Sequence, residues 1–218
     1  MSSEAQKRQV AEAALEFVRS GDVLGVGSGS TVNCFIAALA SVADQVPAAV
    51  SASEASSARL RAIDIQVVEL NQVECLPVYI DGADEFEPGL SLVKGGGAAL
   101  TGEKILASVA ETFVCIVDES KRVDVLGEYP VPLEVIPMAV EAVCRRVREL
   151  GGDPRLRPET TTDHGNPIVD VGGLCVTDPL AVELELETIP GVVTCGVFAR
   201  RGADIVLMAS DRGVQRFG

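Results

Sequence analysis

Apolar residues in the opening stretch MSSEAQKRQVAEAALEFV recur at helical spacing between charged ones, which predicts an amphipathic helix. Ser3 and Gln6 fit a capping box, and Gly21 supplies a stop after about Ser20. Then the rhythm changes. VLGV reads as a short strand, a glycine-rich turn follows, and Thr31 to about Ala43 reads as a helix. PAAVSAS reads as a strand, EASSARLRAI as a helix, IQVVEL as a strand, and LPVYID as a further apolar strand ending at Asp81. Beyond a glycine triplet, LTGEKILASVAE has helical periodicity and TFVCIVD is a strand. Strands alternating with helices predict an α/β fold: a parallel sheet covered by helices, which binds ligands at the carboxyl ends of its strands. GVGSGST, DGADE and DESK each follow such a strand, so all three are expected at one edge.

From about Tyr129 the texture differs. YPVPLEVIP carries three prolines and reads as a hinge plus strand. A helix follows in MAVEAVCRRVREL, stopped by Gly151 and Gly152. A polar turn region, the strand PIVDV, the helical PLAVELELETI and the strand VVTCGVF come next. Strand–helix–strand–strand–helix–strand predicts a small α+β domain of ferredoxin-like type. ADIVLMAS reads as a strand returning to the first domain. The expected division is therefore residues 1–128 plus 203–218, and residues 129–202.

Composition narrows the class. With 47% hydrophobic residues among 218, the chain can bury a substantial core. The net charge of −14 argues against nucleic acid, whose phosphates need a basic face. No apolar run approaches a membrane span, and the N-terminus lacks a secretory apolar segment, so a soluble cytoplasmic protein with no membrane partner is expected. The six cysteines form no C-x-x-C pair and are expected to be buried, reduced thiols.

Three stretches carry candidate chemistry. In GVGSGSTV, glycines let an anion approach the backbone at a helix start, and Ser28, Ser30 and Thr31 add hydroxyl donors. A dinucleotide fingerprint with Glu54 as ribose acid is the rival, but Val32 takes the final glycine position and the lysine of a nucleotide-triphosphate loop is missing. The reading is a phosphate monoester site. DGADE is either an acidic surface turn or part of a site at a strand end; a cation held by Asp81, Asp84 and Glu85 lacks the EF-hand pattern. In LVKGGGAALTGEK, Lys94 beside the donors of Gly95, Gly96 and Gly97 suits an oxyanion or enediolate. Glu103 is a general base only if burial and neighbouring charge balance its proton affinity near the working pH. Lys121 by default is a solvated lysine. The lone His164, in a polar turn, is not assigned catalysis. Met138 and Met208 read as core or element-end residues.

The blocks GVGSGSTV, YIDGADE, KGGGAALTGEKILASVAE, LEVIPMAV and IPGVVTCGVFARRGADIVL together resemble type A ribose-5-phosphate isomerases, in order and over nearly the whole chain. The resemblance implies a Rossmann-like main domain with the smaller ferredoxin-like domain, and a homodimer or larger oligomer. It implies interconversion of ribose 5-phosphate and ribulose 5-phosphate without metal or organic cofactor. Residue by residue, it implies that Ser28, Gly29, Ser30 and Thr31 hold the phosphate. Asp81, Gly82, Ala83 and Asp84 would line the sugar site with Lys94, Gly95, Gly96 and Gly97. Glu103 would accept the proton, and Lys121 would touch substrate. Asp81 and Asp84 would orient hydroxyls, one assisting ring opening. Serine at 28 stands where the family commonly has threonine, which keeps the hydroxyl; His164 replaces another polar residue; Lys7 is a further phosphate candidate. Other readings on related folds are an amino-sugar phosphate deaminase, a CoA transferase or a non-catalytic sugar-phosphate sensor.

Overall fold

The computed structural model describes residues Met1–Gly218. Its helices are α1 (Ser3–Ala13), α2 (Ser30–Leu39), α3 (Glu54–Arg61), α4 (Leu100–Val109), α5 (Val140–Glu149) and α6 (Pro179–Glu187). The strands are β1 (Leu24–Val26), β2 (Ala49–Ser51), β3 (Leu76–Asp81), β4 (Glu85–Phe86), β5 (Leu92–Val93), β6 (Ala110–Asp118) and β7 (Val131–Val135). They continue with β8 (Asp153–Leu156), β9 (Ile168–Gly172), β10 (Val192–Cys195), β11 (Val197–Phe198), β12 (Ile205–Ser210) and β13 (Gly213–Phe217). No helix is long and apolar enough to cross a membrane.

The chain divides into two compact units. The first comprises Met1–Gly82, Ile105–Lys121 and Ala203–Gly218. Its six-stranded sheet has the order β13-β12-β6-β3-β1-β2, parallel except for the β12–β13 pair. Apolar side chains of α1, α2 and α3, among them Val10, Phe35, Leu39 and Leu60, share one core with Val26, Ile80, Ile116 and Leu207 of the sheet. From β1 the chain steps outward to β2, then returns to lay β3 on the other side of β1. That reversal of strand order is the place where parallel sheets open a crevice at their carboxyl ends.

The second unit comprises Ala83–Lys104 and Arg122–Gly202. Strand–helix–strand–strand–helix–strand runs through β7, α5, β8, β9, α6 and β10, with antiparallel sheet order β10-β7-β9-β8. This is the ferredoxin-like arrangement. Its inner strand β7 is buried at every position, so VPLEV lacks the in–out alternation of a half-exposed strand. Val143 and Val147 of α5 pack with Leu133, Val169 and Leu186. A second, three-stranded sheet, β11-β5-β4, belongs to the same unit.

Local differences from the sequence reading have simple causes. Ser2, not Ser3, caps α1, its hydroxyl accepting from the Ala5 N–H. Ser3 instead donates to Asp118, and the Gln6 amide to Glu119. Regular helix ends at Ala13, and a 3-10 turn continues to Phe17. IQVVEL forms no strand; Val67 makes only an isolated bridge to Ala49. VVTCGVF is split at Gly196, which sends Val197 and Phe198 to pair with β5. The unit boundary also differs from the expected one, because β4 and β5 pair with β11 and bring Ala83–Lys104 with them. Cys115, Cys144 and Cys195 are buried, whereas Cys75 and Cys175 are exposed. Met208 is core, but Met138 is 93% exposed.

Candidate active site

In the first unit, the turn after β1 is built around one buried carboxylate. Asp81, at the end of β3, is fully buried. Its Oδ1 accepts the Ser28 N–H at 3.0 Å and the Gly82 N–H at 2.7 Å, and Oδ2 accepts the Tyr79 hydroxyl. Gly27 leaves room for it: a Cβ there would overlap the Asp81 carboxylate. Gly29 follows at φ +101°, a conformation open to glycine, and caps α2 with no side chain. The first turn of α2 therefore starts at exposed Ser30 with main-chain donors directed outward, and the helix dipole adds positive character there. Asp81 is a brace for this turn. Lys121 lies in the 3-10 turn Glu119–Lys121 that ends β6, partly exposed.

In the second unit, Lys94 follows β5 and Glu103 lies in the first turn of α4. Lys94 Nζ is 3.2 Å from Glu103 Oε2, and the two side chains are only 2% and 5% exposed. Lys94 Nζ also lies 5.6 Å from the centre of the Phe198 ring. The neighbouring Lys104 points elsewhere. Its ammonium donates to Glu183 at 2.7 Å, Glu187 at 2.8 Å and the Val197 carbonyl at 2.7 Å. Thr101 donates to Glu134 at 2.5 Å and pairs with Thr194 at 2.8 Å. The first turn of α4 is thus pinned on two sides while Glu103 faces Lys94.

The glycine triplet has distinct reasons at each position. Gly95 sits at φ +104°. A Cβ on Gly96 would come within 2.7 Å of both the Asp84 carboxylate and the Tyr129 hydroxyl. Asp84 Oδ2 accepts the Gly96 N–H at 2.8 Å. Gly97 is exposed. Burial and then the charge of Asp84 push the Tyr129 phenol above its ordinary range, so it remains a hydroxyl beside that carboxylate. Glu85, considered as a cation ligand from sequence, instead accepts the Gly127 N–H at 2.7 Å and the Tyr129 N–H, which fixes the loop carrying Tyr129.

Two contributors are not singled out by the sequence reading. Arg157 donates to the carbonyls of Gly95 and Gly96 from outside every quoted block. Glu134 is fully buried and accepts from Thr101, Thr162 and Asn166. A lone acid inside the apolar run VPLEV is the available signal for it. His164 lies 3.6 Å from Glu134 at a half-exposed position.

A helix start that offers main-chain donors to an anion, on a chain that also hides a lysine–carboxylate pair, defines the class: an α/β protein of phosphate-ester metabolism. Comparison with known proteins narrows the class. The family model for ribose 5-phosphate isomerase A (phosphoriboisomerase A) matches residues 48–213. The structure is similar to ribose 5-phosphate isomerase A from Neisseria gonorrhoeae, with 45% identity, TM-score 0.97, and 99% of this chain and 97% of that chain covered. It is also similar to a D-ribose-5-phosphate isomerase in complex with phospho-erythronic acid, at 39% identity, TM-score 0.95 and 99% coverage of both chains. The isomerase from Methanocaldococcus jannaschii is 37% identical, with TM-score 0.94 and 99% coverage of both. The chain belongs to the type A ribose-5-phosphate isomerase family.

Proposed function

We infer that this protein interconverts ribose 5-phosphate and ribulose 5-phosphate. The observation that carries the reading is the buried Lys94–Glu103 pair beside a glycine turn, in a chain of this family. Isomerisation moves one hydrogen between neighbouring carbons. Glu103 removes the C2 proton of the open-chain aldose, and the electron pair flows through C1–C2 onto the carbonyl oxygen to give an enediolate. Transfer of the O2 proton to O1 and return of the proton to C1 by the same carboxyl leave the ketose. Lys94 and those main-chain donors of the triplet that Asp84 does not take stabilise the oxyanion, the kind of assistance that typically contributes ~10²–10³ in rate per donor.

Ser28, Gly29, Ser30 and Thr31 hold the phosphate, with Lys121 as a further contact. Asp84, near the Tyr129 hydroxyl and on the Gly96 N–H, is the better candidate for ring opening. Asp81 acts through the turn it braces, since its oxygens already accept from Ser28, Gly82 and Tyr79. A homodimer and a cytoplasmic location complete the proposal.

The test is an isomerase assay on ribose 5-phosphate with chelator present, followed by competition with phospho-erythronic acid, which a relative binds. Turnover blocked competitively by that acid supports the reading. Ribose 5-phosphate bound without conversion would return it to a sensing module.

A further inference from the structure

The glycine turn is anchored from behind by a side chain that no motif marks. Arg157 follows β8, and its Nε and Nη2 donate to the two carboxylate oxygens of Asp170 on β9, at 2.8 and 2.5 Å. That fork fixes the guanidinium plane. The remaining nitrogen, Nη1, donates to the Gly95 carbonyl and the Gly96 carbonyl, each at 3.1 Å. Side-chain exposures of 15% for Arg157 and 26% for Asp170 leave the pair largely out of water, where such bonds hold their geometry.

Two consecutive carbonyls drawn to one cation dictate where the next two N–H groups go. No peptide bond is cis, and in a trans peptide the N–H points opposite to the C=O of the same unit. The N–H groups of Gly96 and Gly97 therefore turn away from Arg157. Gly96 N–H meets Asp84 Oδ2 at 2.8 Å, on the far side of the turn. Consecutive N–H groups aimed to one side form an anion-binding concavity. The positive φ of Gly95 and of Ala98, at 104° and 58°, makes this turn possible and leaves it dependent on outside support.

We propose that Arg157 is a positioning residue for the isomerase reaction: it aims the Gly96 and Gly97 N–H groups, and through Gly96 the Asp84 carboxylate, without touching substrate. The proposal rests on the functional reading above. Lysine cannot replace it, because one ammonium cannot hold a carboxylate fork and two carbonyls in a fixed plane.

Steady-state kinetics of Arg157→Lys and Arg157→Met, with amide hydrogen exchange over residues 94–98, test it. The expected result is a fall in kcat of about 10- to 100-fold with KM within about threefold, as for loss of donors that act on the transition state. Exchange at Gly96 should accelerate in the same variants. Unchanged kcat, a rise in KM alone, or unchanged exchange would each overturn the proposal. Should both variants fail to fold, Asp170→Asn keeps the guanidinium while loosening its fork; a smaller kcat loss with unchanged melting temperature supports the anchor, and no loss rejects it. An inactive wild type would defeat the functional reading instead, while the exchange measurement still decides whether Arg157 aims the turn.

Discussion

Lys94 Nζ and Glu103 Oε2 face each other at 3.2 Å with almost no access to water. Two opposite charges buried together impose a condition on mutagenesis. Removing one partner withdraws a buried counter-charge from the other, a change that typically costs ~3–5 kcal/mol. Loss of activity in a single variant must therefore be separated from loss of fold.

Glu103→Gln keeps the shape and a hydrogen-bonding amide but removes the base. It should fold and bind substrate while kcat falls by about 10²–10⁴-fold, the usual contribution of a positioned acid–base group. Hydrogen–deuterium exchange from C2 of the substrate should fall equally. Wild-type turnover would remove Glu103 from the mechanism.

Lys94→Ala should lower kcat more than it raises KM, by roughly 10²–10³-fold. It should also lower the melting temperature, because Glu103 loses its cation. The double variant Lys94→Met with Glu103→Gln should recover stability and remain inactive. A KM effect alone would limit Lys94 to ground-state binding.

Lys104 gives a prediction about pH. Burial pushes its ammonium down, but Cys195, Glu183 and Glu187 together hold it above its ordinary 10.5. The folded state grips this proton more tightly than the unfolded chain does. The resulting stability is complete below about pH 10.5 and is lost as pH rises through the folded value. The denaturation free-energy difference between wild type and Lys104→Met should be largest at about pH 9 and shrink above about pH 10.5. Cys195, whose thiol burial pushes up to about 11 while Lys104 pulls it down, has an alkaline decline of its own, so both proteins are compared in a Cys195→Ala background. A difference that stays constant to about pH 12 would show that the ammonium is not the stabilising form.

The formal charge of −14 repels an anionic substrate at long range, while the phosphate donors act at contact. Raising ionic strength from about 0.01 to 0.15 M, which shortens the Debye length from ~30 to ~8 Å, should leave KM for ribose 5-phosphate unchanged or lower it. A sharp rise in KM would mean that screened attraction, not main-chain capture, dominates binding.

Much of this is legible because local patterns report local structure. Alternating strands and helices point to the parallel sheet, and the β7-to-β10 series to the ferredoxin-like order. KGGGAALTGEK marks the turn and the helix start that bring Lys94 to Glu103. What stays hidden depends on distant partners. Nothing local in DEF or in SLV says that β4 and β5 pair with β11, and that pairing moves the unit boundary. Arg157 reads as one of fourteen arginines until its carbonyl partners, about sixty residues away, are known. The burial of Asp81 among Tyr79, Ser28 and Gly82 is likewise a tertiary fact that DGADE does not announce. Met138 is apolar enough for a core, yet its 3-10 turn, Pro137–Ala139, leaves it in solvent.

The occupied space above Gly27 ties two distant codons together. The carboxylate of Asp81 fills the volume that any other residue at 27 would claim. Gly27→Ala alone should cripple folding, and shortening residue 81 to make room would strip the turn of its acceptor. Neither position can drift by single steps, so descendants of this chain inherit both letters or neither.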